Sequence, residues 1–133
     1  MSSTTPDETM PCPCGLGTPY AACCGPIHEG KPAPTAAQLM RSRYSAFALG
    51  QSDYLLSSWH ASTRPAELEL DEDTRWLRLI IDASDQGGPF DTVGTVTFTA
   101  IGRTPAGRFE QRERSNFVRD GGNWFYVDGI EPA

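Results

Sequence analysis

All four cysteines of the chain fall within thirteen residues, Cys12 to Cys24, as a C-x-C pair, eight intervening residues and a C-C pair. Thiols at that density call for a common partner, and zinc is suited to them because a structural zinc site takes four soft ligands in a tetrahedron. The stretch between the pairs is rich in Gly and Pro, so it is expected to double back without helix or strand. Metal binding then supplies folding energy that so short a segment cannot gain from burial.

Disulfides and redox chemistry are the rival readings. Adjacent Cys23 and Cys24 do not easily bridge each other, so a disulfide arrangement needs two bridges running between the pairs. Met1 to Met10 is polar and expected to fray, with neither a basic region nor an apolar run. An oxidising compartment is therefore not implied, and the expected location is cytoplasmic. The redox motif C-x-x-C is absent, although a C-x-C or C-C pair remains oxidisable. One structural zinc on Cys12, Cys14, Cys23 and Cys24 is the expectation. His28 is the alternative ligand in place of one sulfur, or else a donor behind the ligands.

The chain has 133 residues, enough for one domain and a small appendage, and a net charge of -6. Lys31 is the only Lys or Arg among the first 34 residues, against Asp7, Glu8 and Glu29. A nucleic-acid-binding knuckle gains affinity from cations on phosphates, so nucleic acid is disfavoured as a partner. No apolar run is long enough to span a bilayer as a helix, and no membrane association is expected. The connector Glu29-Gly-Lys-Pro-Ala-Pro34 suggests two units, a tip plus knuckle over 1–31 and a larger domain over 32–133.

Thr35-x-x-Gln38 forms a capping-box pattern, and Leu39, Met40, Tyr44, Phe47 and Ala48 follow at helical spacing up to Gly50. Ser52 is the expected cap of a second helix through Tyr54, Leu55 and Trp59, and Pro65 to Leu70 is expected to be a short helix or turn. Period-two patterning then predicts strands over Trp76–Ile81, Val93–Ile101, Arg108–Arg119 and Trp124–Ile130. Helices followed by a four-strand meander read as α+β, with helices packed on one face of a curved antiparallel sheet.

Strand parity places Phe109, Gln111, Glu113, Ser115 and Phe117 on the inner face of the third strand. Glu113 then sits among apolar neighbours, and Arg43 on the covering helix is its expected partner. His60, after Trp59, is expected near a pocket mouth. Arg43, His60, Glu113 and Ser115 could form an acid–base constellation, while a purely structural Arg–Glu pair is the plainer alternative. No G-x-S-x-G, P-loop or dinucleotide fingerprint is present.

The segment C-P-C-G-x-G-x-x-Y-x-x-C-C-G resembles the SEC-C motif, the zinc knuckle at the carboxyl end of the SecA translocation ATPase and in several small bacterial proteins. Its four cysteines match the motif's ligand positions, with Cys24 where SecA carries histidine. Tyr20 and Gly25 match as well; Leu16 replaces the usual serine, and Thr18, Pro19, Ala21 and Ala22 stand where lysines are common. Leu39-Met-Arg-Ser-Arg-Tyr-Ser-Ala-Phe47, Tyr54-Leu55, Trp59-His60, Glu113-Arg-Ser-Asn-Phe117 and Trp124-Phe-Tyr-Val-Asp-Gly129 together resemble the YchJ-like family. That resemblance implies a knuckle followed by a nuclear-transport-factor-2-like, or cystatin-like, domain. Many members carry a second knuckle at the carboxyl end, and no second cysteine cluster occurs here. SEC-C knuckles of SecA bind the export chaperone SecB through lysines that this sequence lacks. The expectation is thus a zinc-containing protein-interaction module with a generic protein partner. The alternative is a small-ligand pocket or an enzyme around Glu113 and His60.

Overall fold

A computed structural model describes residues 10–131. The frayed tip expected at the start of the chain lies outside these residues, apart from Met10. Helix α1 (Cys24–His28) is preceded by a 3₁₀ turn over Tyr20–Ala22, so the knuckle is not free of helix as expected. Pro26 is tolerated because it lies in the first turn of α1, where its missing N–H would have no helical partner.

Helix α2 (Ala36–Leu49) forms where the sequence places it. Thr35 Oγ1 accepts from the Gln38 N–H at 3.1 Å, and Gly50 closes the helix at φ 73°, a left-handed conformation that glycine adopts without strain. The Gln51 N–H then donates back to the Ala46 carbonyl at 2.8 Å. Because this closure draws Gln51 against the end of α2, helix α3 (Ser52–Ser57) starts at once, with Ser52 inside it and no side-chain cap. The stretch from Pro65 to Leu70 forms no helix. Only Pro65, Leu68 and Leu70 are half-buried there, which leaves no apolar stripe to hold one against the body.

The strands are β1 (Arg75–Gln86), β2 (Val93–Thr104), β3 (Gly107–Asp120) and β4 (Asn123–Ile130), paired antiparallel in chain order. β1 outruns its expected end because a register shift between Ile81 and Ala83 lets polar Ser84 and Asp85 continue the ladder opposite Val96 and Thr95. The inner face carries Leu79, Val96, Phe98, Ala100, Ser115, Phe117 and Trp124, all buried. For β3 this is the face that strand parity predicts.

The amino end of α2 is pinned to the β1–β2 turn, where the Ala36 N–H donates to the Gly87 carbonyl at 2.9 Å. Backbone approaches backbone so closely there that a Cβ on Gly94 would lie 2.5 Å from the Gly87 Cα. Gly94→Ala is therefore expected to destabilise the domain by about 1–3 kcal/mol, the range for overpacking a closed site, as measured by denaturant unfolding. An unchanged midpoint would contradict this seam.

Candidate functional site

Helix α2 presents one stripe to the knuckle and another to the sheet. On the first stripe, Ser45 is fully buried, with its Oγ 3.4 Å from Cys24 Sγ and 3.5 Å from Cys12 Sγ. Arg41 Nη1 donates to the Cys14 carbonyl at 3.2 Å, and Leu49 packs beside the cysteines. Residues 41, 45 and 49 are successive turns of one helix face.

The four sulfurs all lie within 4.8 Å of one another. Tetrahedral bonds of about 2.3 Å to zinc would give sulfur–sulfur edges of about 3.8 Å, so the cluster could close on one metal ion with small adjustment. None of the cysteines is in a disulfide. Hydrogen bonds from Cys14 and Cys24 hold the Cys12 thiol far below its ordinary range. Burial, then hydrogen bonding to Cys14 and Cys12, pushes Cys23 up to about 12, while hydrogen bonding to Cys12 and Cys14, then burial, raises Cys24. The site therefore takes one negative charge readily and resists the next, a resistance that a divalent cation would remove.

His28 is not free to ligate. Its Nδ1 lies 2.6 Å from Tyr20 Oη and its Nε2 2.7 Å from the Ser42 carbonyl. The carbonyl can only accept, so Nε2 carries the proton and Tyr20 donates to Nδ1. Burial holds the imidazole below its usual pKa, consistent with this neutral form. His28 thereby joins the knuckle tyrosine to α2, standing behind the sulfurs rather than among them.

The other stripe of α2 faces a cavity of about 160 Å³, whose walls include Met40, Arg43, Tyr44 and Phe47 from α2 and Trp76 and Phe98 from the sheet. Glu113 and Ser115 of β3 line it together with Arg43, as the sequence reading anticipated, but Arg43 does not pair with Glu113. Arg43 is 3% exposed, and its guanidinium lies 4.5 Å from the Tyr126 ring centroid and 5.2 Å from that of Trp59. Arg43 Nη1 donates to the Leu55 carbonyl at 2.8 Å and to Ser58 Oγ at 2.6 Å. Burial pulls this guanidinium down to about 10, which leaves it charged at neutral pH.

Glu113 is instead held by its own sheet. Ser115 Oγ donates to Glu113 Oε2 at 2.5 Å, and Tyr126 Oη donates to the same oxygen at 3.4 Å. The carboxyl folds over the bare Cα of Gly129, where any Cβ would collide with it. Burial and the Glu113 charge raise the Tyr126 phenol to about 12, keeping it a donor.

His60 lies outside the cavity. Trp59 bridges to Tyr126 as a single strand-like residue, so successive side chains point to opposite sides: Trp59 inward and His60 outward. The imidazole is 2.7 Å from Ser62 Oγ and 3.4 Å from Asp120 Oδ2, over Phe125. It is not part of an acid–base constellation with Glu113.

Ser45, Tyr126 and Gly129 were not singled out from sequence. Ser45 had one legible sign, its place one turn from both Arg41 and Leu49. Gly129 had none, because its role lies in what a neighbouring strand places above it.

Comparison with known proteins now decides the family. The family described as "YchJ, middle NTF2-like domain" matches residues 35–129. The chain belongs to the YchJ-like family. It is 50% identical to a UPF0225 protein of Streptomyces avermitilis over 127 residues, covering 95% of this chain and 88% of that one. A UPF0225 protein of Xanthomonas campestris is likewise 50% identical over 131 residues, with 96% and 98% covered. Among solved structures, a SEC-C motif containing protein from Rhodopseudomonas palustris superposes with a TM-score of 0.81 at 32% identity, covering 93% of this chain and 100% of that one. One from Psychrobacter arcticus gives 0.74 at 27%, with 95% and 85% covered. Both superpositions extend well beyond residues 35–129, so the likeness to these structures is not confined to the middle domain.

Arg43→Lys tests the sandwich. A lysine cannot offer the planar fork to Leu55 and Ser58 while stacking between two rings, so a loss of about 2 kcal/mol or more is expected in denaturant melts. A variant as stable as its parent would show that charge alone is needed.

Proposed function

We propose that this protein binds a small, mostly apolar molecule in the cavity under α2, and that one zinc ion on Cys12, Cys14, Cys23 and Cys24 stiffens the helix that walls it. The observation that carries this reading is the double use of α2. Ser45 reaches the sulfurs from the helix that places Arg43, Tyr44 and Phe47 around the cavity. Zinc would supply a cross-link between the cysteine pairs and the charge that lets all four thiols ionise together. The chain's own residues do the rest: Ser45 donates toward Cys24, Arg41 holds the Cys14 carbonyl, and the Tyr20–His28–Ser42 relay fixes the knuckle's orientation.

Size and lining support a ligand over an empty core. The cavity's 160 Å³ is close to the volume, about 150 Å³, of an engineered apolar cavity that holds benzene. A protein partner on the knuckle has less support, since Cys12, Cys14, Cys24 and Tyr20 are buried, the last beside α2 through His28. Turnover has less support too. Ser115 already donates to Glu113, and His60 stands outside.

Metal analysis of protein purified without added metal should give one zinc per chain and four thiols released on denaturation. Metal-free protein with fewer than four thiols would overturn the zinc site and bring redox chemistry forward. Chelation is expected to unfold the knuckle while residues 35–130 keep their β signal. For the cavity, titration with toluene should shift the indole N–H resonances of Trp59 and Trp76, which line it, and leave Trp124 unchanged. If no ring-sized compound moves either signal, the binding reading fails.

A further inference from the structure

The cavity holds one polar group set up in a way that packing alone does not require. Glu113 is half-buried, and both of its hydrogen bonds, from Ser115 and Tyr126, arrive at Oε2. Oε1 receives no hydrogen bond from any described residue. Two donors and the bare Cα of Gly129 fix the carboxyl's position, so Oε1 is an acceptor held in place at the wall of an aromatic cavity. Oε1 is not sealed from solvent, since Trp124 Nε1 is the one buried side-chain polar atom without a partner among the described residues. A ligand that supplies a donor takes the place of water there and gains a hydrogen bond to a charged acceptor inside the cavity.

Charge narrows the class further. Arg43 lines the same cavity, and Tyr126 links the two groups, its ring beneath the guanidinium and its hydroxyl on the carboxyl. One cation and one carboxylate make the interior neutral on balance. An ammonium group would bring a second cation beside Arg43, and a carboxylate would bring a second anion beside Glu113. Volume sets the size, since about 150–160 Å³ accommodates a single six-membered ring with a small substituent. The apolar walls, Tyr44, Phe47, Trp76 and Phe98, suit the ring itself.

We infer that the cavity takes an uncharged, one-ring or similarly compact molecule carrying a hydroxyl or N–H donor, which bonds to Glu113 Oε1. This rests on the binding reading above and specifies its ligand. Four probes of nearly equal size separate the terms: phenol, toluene, benzylamine in its ammonium form, and benzoate. They would be titrated against the zinc-loaded full chain while the Trp59 and Trp76 indole resonances are followed.

Phenol is expected to bind roughly tenfold more tightly than toluene, the yield of one hydrogen bond to a charged acceptor, with benzylammonium and benzoate weaker than phenol. Glu113→Met should bring phenol close to toluene without loss of toluene binding. If that variant fails to fold, Glu113→Gln, which keeps the shape and removes the charge, should still reduce the phenol-to-toluene ratio several-fold. Toluene equal to phenol in the parent chain would overturn the donor assignment while leaving the binding reading intact. Benzylammonium or benzoate tighter than phenol would overturn neutrality. No binding by any of the four would remove the binding reading itself.

Discussion

The structure depends on a helix that has almost no side left for water. α2 runs between the knuckle and the sheet, and Ala36, Leu39, Met40, Ser42, Arg43, Tyr44, Ser45 and Ala46 are all buried. A helix enclosed in this way usually carries apolar residues all round. α2 instead buries two serines and an arginine, and each must find partners or the burial is unfavourable. Ser45 finds the cysteines, Ser42 accepts from Tyr54 Oη while its carbonyl takes the His28 proton, and Arg43 finds Leu55, Ser58 and two aromatic faces.

These polar contacts determine where the neighbouring elements sit. Apolar packing alone would allow the knuckle and α3 to slide along α2 at little cost, because dispersion is non-directional. Hydrogen bonds from fixed positions on one rigid helix remove that freedom. Arg43 ties the end of α3 to α2, and the bridge from Trp59 to Tyr126 then ties the same segment to β4. The cavity persists because large rings around it meet edge to face, Trp76 against both Tyr44 and Phe109, and brace one another instead of collapsing inward. Knuckle, helix and cavity meet on one rigid helix, so a metal ion held by the four cysteines would stiffen a wall of the cavity.

Much of this was legible in the residues. Period-two alternation from Phe109 to Phe117 placed Glu113 and Ser115 on the inner face, and the capping pattern at Thr35 and the stop at Gly50 bounded α2. Less legible were features that depend on how two elements meet. Arg43 and Glu113 share a cavity, but the choice of Trp59, Tyr126, Leu55 and Ser58 over Glu113 follows from the height at which α2 crosses the sheet. His60 was misplaced because the strand-like bridge of Trp59 to Tyr126, which turns it outward, has no local signal. Ser52 lost its capping role to the tight closure at Gly50 and Gln51.

The sequence by itself determined the clustering of all four thiols, the order of helices and strands, and the inner face of the third strand, because spacing and periodicity act along the chain. Only the tertiary structure decided that His28 stands behind the cysteines, that Ser45 reaches them, and that Glu113 lies over Gly129 with one oxygen unpartnered. Those are through-space relations between residues distant in the chain. They are set by where one rigid helix comes to rest between a knuckle and a sheet.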